Sequence, residues 1–201
     1  MSVNASKYTN IQYKFYDLSL HQSHFPFMQF KHKYNSLKIH YIYRFNKIDK
    51  MLQKGDKAPQ FKGVDQNGKE INSSDYAGKK YVLFFYPKAS TPGCTNQACN
   101  LRDNEEALKA QGYEIIGVSA DSVKRQNNFA TKHGFNYPLI ADESKEIINA
   151  FGVWGPKKFM GREYEGIHRT TFIVNEEGII EEVISKVKTK AHAEQILEIS
   201  K

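Results

Sequence analysis

From Met51 onward, apolar residues come in short unbroken runs separated by amphipathic stretches and turn residues. Tyr81–Tyr86 (YVLFFY) is a continuous apolar run of strand length, and Tyr113–Ala120 (YEIIGVSA) is nearly so. Runs of this kind, without polar alternation, predict strands buried on both faces. Phe61–Val64 and Glu70–Ile71 flank the turn residues Asp65-Gln66-Asn67-Gly68, which predicts a short hairpin. Ile167–Asn175 and Ile179–Ser185, joined at Glu176-Glu177-Gly178, predict a second, and Tyr137–Ala141 a short strand. Helical patterns run from about Thr95 to Ala110, ended by Gly112, and over Ser122–His133, with Gly134 just past the end. Two more cover Ser144–Phe151 and Thr189–Ile199.

The predicted order is β-β-β-α-β-α-β-α-β-β-α. Strands alternating with helices, then a terminal hairpin and helix, place the chain in the α/β class. They imply a central mixed β-sheet flanked by helices on both faces. That arrangement fits a thioredoxin-like fold, which by itself does not specify an activity.

Composition changes the picture mainly at the N-terminus. The chain has 201 residues, 40% apolar and 25% charged, enough for one domain with a hydrophobic core. No stretch approaches the ~20 apolar residues of a membrane span. The net charge is +7, but residues 1–50 carry eight Lys/Arg against only Asp17 and Asp49. The rest of the chain is nearly neutral and offers no basis for a nucleic-acid or membrane partner. Residues 1–50 also lack Gly and Cys and are rich in Lys, Asn, Tyr, Ile and Phe, the residues that AT-rich DNA encodes when read by chance. No secretory core is present, since Leu18–Phe30 is broken by Gln, His and Ser. Residues 1–50 are therefore expected to be a disordered extension or an over-extended reading frame, with Met51 the natural start and 51–201 the domain. A basic aromatic surface over Lys31–Lys50 is the alternative. N-terminal sequencing of protein from its native source separates the two.

There are two cysteines, five positions apart. A secreted disulfide scaffold would be shorter and carry more of them. A close pair points to redox chemistry in a cytoplasmic protein, to metal, or to inert core cysteines. The stretch Pro87-Lys-Ala-Ser-Thr91-Pro-Gly-Cys94-Thr-Asn-Gln-Ala-Cys99 leaves the end of a buried strand and opens a helix, the edge where open α/β sheets place their sites. In a first helical turn, free N–H groups and the macrodipole favour an anion, so Cys94 is the candidate nucleophile. Ionisation alone accomplishes little. For thiols in general, lowering the pKa from ~8.5 to ~6 raises the thiolate fraction at pH 7 about 30-fold. The accompanying loss of nucleophilicity, with a Brønsted slope of about 0.4–0.5, takes back roughly 10- to 18-fold. Groups that stabilise the breaking bond are also required. Thr91, three residues earlier, can supply a hydroxyl, and the backbone around Gly93 and Cys94 can supply donors. Arg169, in Ile-His-Arg-Thr-Thr-Phe at the start of a predicted strand, is the candidate cation.

Pro87, Thr91 and Cys94 match the pattern P-x-x-x-T-x-x-C, and a second cysteine follows within TPGCTNQAC. With Phe151-Gly-Val-Trp-Gly155 and Gly166-Ile-His-Arg169, these segments resemble the peroxiredoxins, in particular the peroxiredoxin Q or bacterioferritin comigratory protein subfamily, over about residues 51–200. The resemblance implies a thiol peroxidase acting on hydrogen peroxide and organic hydroperoxides. It makes Cys94 peroxidatic, passing through a sulfenic acid, and Cys99 resolving, through a disulfide with Cys94. Thr91 and Arg169 would hold peroxide and thiolate, Pro87 would shield the pocket, and thioredoxin would return the disulfide to thiols. It implies no metal and no bound organic cofactor. A bridge within one chain makes a monomer sufficient.

On one regular helix, Cys94 and Cys99 would sit about 140° apart with Cα atoms roughly 8–9 Å apart, beyond the approximately 7 Å reach of a disulfide. Residues of about 94–100 are therefore expected to unwind after oxidation, helped by the indifferent helix formers Thr95, Asn96 and Asn100. The competing readings are weaker. Two thiolates make half a tetrahedral metal site, and His133, His168 and His192 are scattered. A disulfide oxidoreductase more often uses C-x-x-C, and a redox-linked chaperone would leave the thiols incidental. Arg102 and Asp103 read as a solvated or ion-paired face, His168 as structural and Trp154 as packing.

Overall fold

The computed structural model describes residues 51–159 and 161–199; the expectation for residues 1–50 lies outside the described residues. In chain order the strands are β1 (Lys62–Val64), β2 (Glu70–Asn72), β3 (Lys80–Phe85), β4 (Tyr113–Ser119), β5 (Leu139–Ala141), β6 (Trp154–Phe159), β7 (Arg162–Ile167), β8 (Thr170–Val174) and β9 (Ile180–Ile184). The α-helices are α1 (Pro92–Asp103), α2 (Glu105–Ala110), α3 (Val123–His133), α4 (Glu146–Ala150) and α5 (His192–Ile199).

The apolar run at Tyr81–Tyr86 forms the middle of a five-stranded sheet ordered β5-β4-β3-β8-β9. β3 pairs parallel with β4 and antiparallel with β8, so the sheet is mixed. Because side chains alternate across a strand, β3 serves two cores. Val82, Phe84 and Tyr86 pack with Cys94, Ala98 and Leu101 of α1, Phe129 of α3 and Ile196 of α5. Tyr81, Leu83 and Phe85 pack with Phe61, Ile71, Ile147 and Ile148 of α4, and Phe151 on the opposite face. Helices thus cover both faces, and the domain is a thioredoxin-like α/β fold. Among the described residues, no helix is long and apolar enough to cross a membrane.

Three local differences from the sequence reading matter for the site. The helix expected at Thr95–Ala110 starts earlier, at Pro92, and divides at Asn104. Asn104 leaves helical geometry (φ −113, ψ 16), and its side-chain amide donates to the Asn100 carbonyl at 2.9 Å, competing with the backbone ladder. The strand expected over Ile167–Asn175 is also two strands, with His168 and Arg169 between them. Finally, β6 and β7 form an antiparallel hairpin outside the main sheet that the apolar pattern did not reveal. Its residues include Gly155, Pro156, Lys157, Lys158, Arg162 and Glu163, which have neither alternation nor an apolar run.

The buried His192 gives the fold an acid sensitivity. Its Nε2 lies 2.9 Å from the Thr171 hydroxyl. Burial, aided by the Arg169 charge, holds its pKa at about 4, below the ordinary 6.5. Between those values the unfolded chain takes up a proton that the folded chain refuses, so stability falls as pH drops from about 6.5 to about 4. The total is on the order of 3 kcal/mol. Urea unfolding at pH 7 and pH 4.5 is expected to show this loss in the wild type and a smaller one in His192→Gln.

Candidate active site

The site is built where β3 ends. Its loop, Pro87–Thr91, is clamped at Ala89 from the segment after β4. The Ala89 N–H donates to Asp121 Oδ2 at 2.7 Å, and its carbonyl accepts from Arg125 Nη2 at 3.1 Å. Asp121 and Arg125 are themselves paired at 3.0 Å. Ser90 then takes a left-handed conformation (φ 63), uncommon for a residue with a side chain. This turn delivers Thr91 to the N-cap of α1, with Pro92 at its first position.

Threonine is a good capping residue, yet Thr91 does not cap. Its hydroxyl donates to the Lys88 carbonyl at 2.9 Å. The first helical donor is the Thr95 N–H, bonded to the Thr91 carbonyl at 2.9 Å. The N–H groups of Gly93 and Cys94 stand ahead of that ladder, at the positive end of the helix. The Cys94 residue itself is only 1% exposed, within the α1 face of the core.

Arg169 reaches this thiol from the other side of β3. β8 runs antiparallel to β3 with Thr170 opposite Phe85, so the residue before β8 arrives level with the emerging loop. The break between β7 and β8 is pinned by the His168 N–H on the Val153 carbonyl at 2.7 Å, and Arg169 leaves both ladders there. Its Nη2 lies 3.3 Å from Cys94 Sγ and its Nη1 lies 2.5 Å from Gln97 Oε1. A Cβ added at Gly93 would stand 3.3 Å from the same Nη2, so glycine gives the guanidinium room. Arg169 and Cys94 therefore meet, Thr91 stands at the N-cap of the same helix with its hydroxyl on the Lys88 carbonyl, and Pro87 is half-buried at the loop entrance. Cys99 lies farther along the same helix, reduced, partly buried and packed against the same core.

Peroxiredoxin Bcp of Escherichia coli (strain K12) is 44% identical over 146 residues, spanning 73% of this chain and 94% of the relative. A family model, the AhpC/TSA family, matches residues 54–183. The chain belongs to the AhpC/TSA family. Within it the chain is a peroxiredoxin, hence a thiol peroxidase, of the Bcp or peroxiredoxin Q kind. Peroxiredoxin Q of Xanthomonas campestris has a similar solved structure, with TM-score 0.67 and 33% identity, covering 75% of this chain and 94% of the other. A further structure of the bacterioferritin comigratory protein from that organism, solved to give insight into its alkyl peroxide reduction activity, has TM-score 0.67 and 32% identity over 75% of this chain and 95% of the other.

Two residues around this peroxiredoxin's site, Gln97 and Lys157, were not singled out in the sequence. Gln97 is fully buried and orients Arg169; its Nε2 has no hydrogen-bond partner among the described residues. A polar residue one helical turn after Cys94 was the available signal. Lys157, on the unforeseen hairpin, donates to the Ile167 carbonyl at 3.0 Å. Burial first, then the like charge of Arg169, lowers its pKa, while Cys94 acts in the opposite sense, so Lys157 shares the field of the site. Arg102 lies near the second cysteine rather than the first. It pairs with Asp103 at 2.6 Å, donates to the His133 carbonyl, and interacts electrostatically with Cys99. His168 is exposed and serves through its backbone. Trp154 packs at the second core, donating to Glu165 at 3.0 Å. Among the described residues, no three of His, Cys, Asp and Glu cluster as metal ligands.

Proposed function

We propose that Cys94 is the peroxidatic cysteine and Cys99 the resolving one, in a peroxidase acting on hydrogen peroxide and organic hydroperoxides. The observation that carries this reading is the Arg169 guanidinium 3.3 Å from Cys94 Sγ at a helix N-terminus whose own cap residue is turned away. The Cys94 thiolate attacks the near peroxide oxygen, the O–O bond breaks, and water or an alcohol departs, leaving a sulfenic acid. Arg169 and the N–H groups of Gly93 and Cys94 face the charge that moves onto oxygen. The Thr91 hydroxyl, its proton committed to Lys88, accepts a hydrogen bond from the incoming peroxide and so orients it. Pro87 shields the loop side of the pocket without contributing a competing N–H.

Cys99 then attacks the sulfenic sulfur and water leaves. Both cysteines lie on the continuous helix α1, so the disulfide requires the turns carrying Cys94 to unwind. Two groups oppose that motion, the Arg169 fork on Cys94 and Gln97 and the Tyr137 hydroxyl, which donates to the Ala98 carbonyl at 2.8 Å. Tyr137→Phe removes the second. A hydrogen bond of about 1 kcal/mol corresponds to roughly fivefold, so disulfide formation in this variant is expected to accelerate about that much, measured by rapid quenching and thiol counting.

Thioredoxin is the reductant on this reading, and a cycle through dithiol and disulfide belongs in the reducing cytoplasm. Every step uses groups of one chain, so a monomer suffices. The test is peroxide consumption by the purified protein with a thioredoxin system as electron donor, using hydrogen peroxide and an alkyl hydroperoxide. Turnover of both is expected; stoichiometric oxidation without turnover would contradict the assignment of the reductant, and no consumption would contradict the peroxidase cycle.

A further inference from the structure

The two halves of α1 are held very differently. Beyond Cys99, the helix is tied to its surroundings by several groups. Asn100 Oδ1 accepts from the Ala193 N–H at 2.7 Å, capping the start of α5, and Asn100 Nδ2 donates to Glu194 Oε2 at 3.1 Å. Arg102 donates to the carbonyl of His133, the last residue of α3. Before Cys99, the hydrogen-bonded ties are the Arg169 fork on Cys94 and Gln97 and the Tyr137 hydroxyl on the Ala98 carbonyl, and the fork's hold on Cys94 is the one that oxidation of the sulfur changes. By helix propensity alone Asn100 eases unwinding; in the fold it is a tether. Unwinding that starts at the N-terminus of α1 is therefore expected to halt at Cys99, with Cys94 travelling and Cys99 staying.

What Cys99 stays beside is an imidazole. Cys99 Sγ lies 3.9 Å from His133 Nδ1, within hydrogen-bonding range for sulfur. The ring is held in place, edge-on to Phe129 with centroids 5.4 Å apart and stacked on Phe135 at 5.6 Å. Resting on the assignment of Cys99 as the resolving cysteine, we propose that His133 is the general base that takes the Cys99 thiol proton as Cys99 attacks the Cys94 sulfenic acid. The neutral ring, protonated at Nε2, presents the Nδ1 lone pair to the thiol. As the S–S bond forms, the S–O bond of the sulfenic acid breaks and hydroxide leaves, taking a proton to become water. The Cys99 sulfur is oxidised and the Cys94 sulfur reduced, with no outside oxidant.

The charges around the ring keep it basic-ready at neutral pH. Burial first, then Lys132 on its own helix and Arg102 from α1, lower the His133 pKa from its ordinary 6.5. Asp103 offsets part of the Arg102 charge, and the same guanidinium faces Cys99 and Tyr137. Arg102 thus favours the developing thiolate while disfavouring protonated His133.

The test is stopped-flow oxidation of the full chain across pH, resolving sulfenic acid formation from disulfide formation. In the wild type, disulfide formation is expected to be level at neutral pH and to fall only in acidic solution, below the range of an ordinary imidazole, as His133 protonates. In His133→Phe, which keeps the ring stacking, it is expected to be about 100-fold slower at pH 7, the low end for general-base catalysis, and to climb about tenfold per pH unit as unassisted thiol ionisation does. The sulfenic acid phase reports whether the variant is folded; should His133→Phe fail there, His133→Gln carries the same measurement. A loss of less than threefold, or an unchanged pH profile, would overturn the proposal. Cys99→Ser distinguishes the two levels. If it resolves like the wild type, the assignment of Cys99 fails; if it stalls while His133→Phe does not, only the role of His133 fails.

Discussion

Cys94→Ser is expected to lose peroxide turnover by at least ~10⁴-fold while remaining folded. A serine hydroxyl is not ionised near neutral pH, and removal of a covalent nucleophile typically costs on the order of 10⁶ in rate. The loss should not come from unfolding, because an oxygen in place of Cys94 Sγ still accepts from Arg169 and occupies nearly the same buried volume. Cys99 survives in this variant but cannot substitute. It lies partly buried beside His133, away from the helix N-terminus and from Arg169. The check is a consumption assay beside a thermal melt. Residual turnover above a tenth of wild type, in a folded protein, would move the nucleophile elsewhere and favour a thiol-disulfide role for the pair.

Arg169→Ala carries the second large effect, a fall of about 10²–10³ in the second-order rate of Cys94 oxidation, the usual cost of removing one preorganised donor from a site of developing charge. The guanidinium acts as a fork, with one nitrogen on the sulfur and the other on Gln97. Lysine has one ammonium and cannot hold both, so Arg169→Lys is expected to recover little. Gln97→Leu should show a smaller loss of the same kind, since it frees the fork without removing the charge. Rapid oxidation followed by thiol counting gives these rates. An Arg169→Ala rate within tenfold of wild type would mean that the helix N-terminus alone stabilises the departing oxygen.

The chemistry was more legible in the sequence than its supports were. Cys94, Thr91 and Pro87 sit within one short motif, and the apolar run before it announced the strand that carries them. Arg169, 75 positions beyond Cys94, could be offered from its strand position only as a candidate and drew its weight from the resemblance, because antiparallel pairing of β8 with β3 is what brings it across. The groups that hold the site come from elsewhere in the fold. Asp121 and Arg125 clamp Ala89, Gln97 aims Arg169, and Lys157 adds charge from a hairpin with no alternating pattern. Asn104 divided a helix that periodicity had run through, because an amide that competes for a carbonyl leaves no trace in hydrophobic spacing. Asn100 shows the limit of propensity most clearly. Its intrinsic preference predicted a weak point, and its tertiary contacts make it an anchor.

The central claim is that oxidation at Cys94 is passed to Cys99 of the same chain. Mass spectrometry under non-reducing conditions after one equivalent of peroxide tests it directly. A monomeric chain lighter by two hydrogens, with the peptides of Cys94 and Cys99 linked, is the predicted result, together with a sulfenic acid at Cys94 in Cys99→Ser. A disulfide between two chains, or a wild-type Cys94 that remains sulfenic beside a free Cys99, would contradict it.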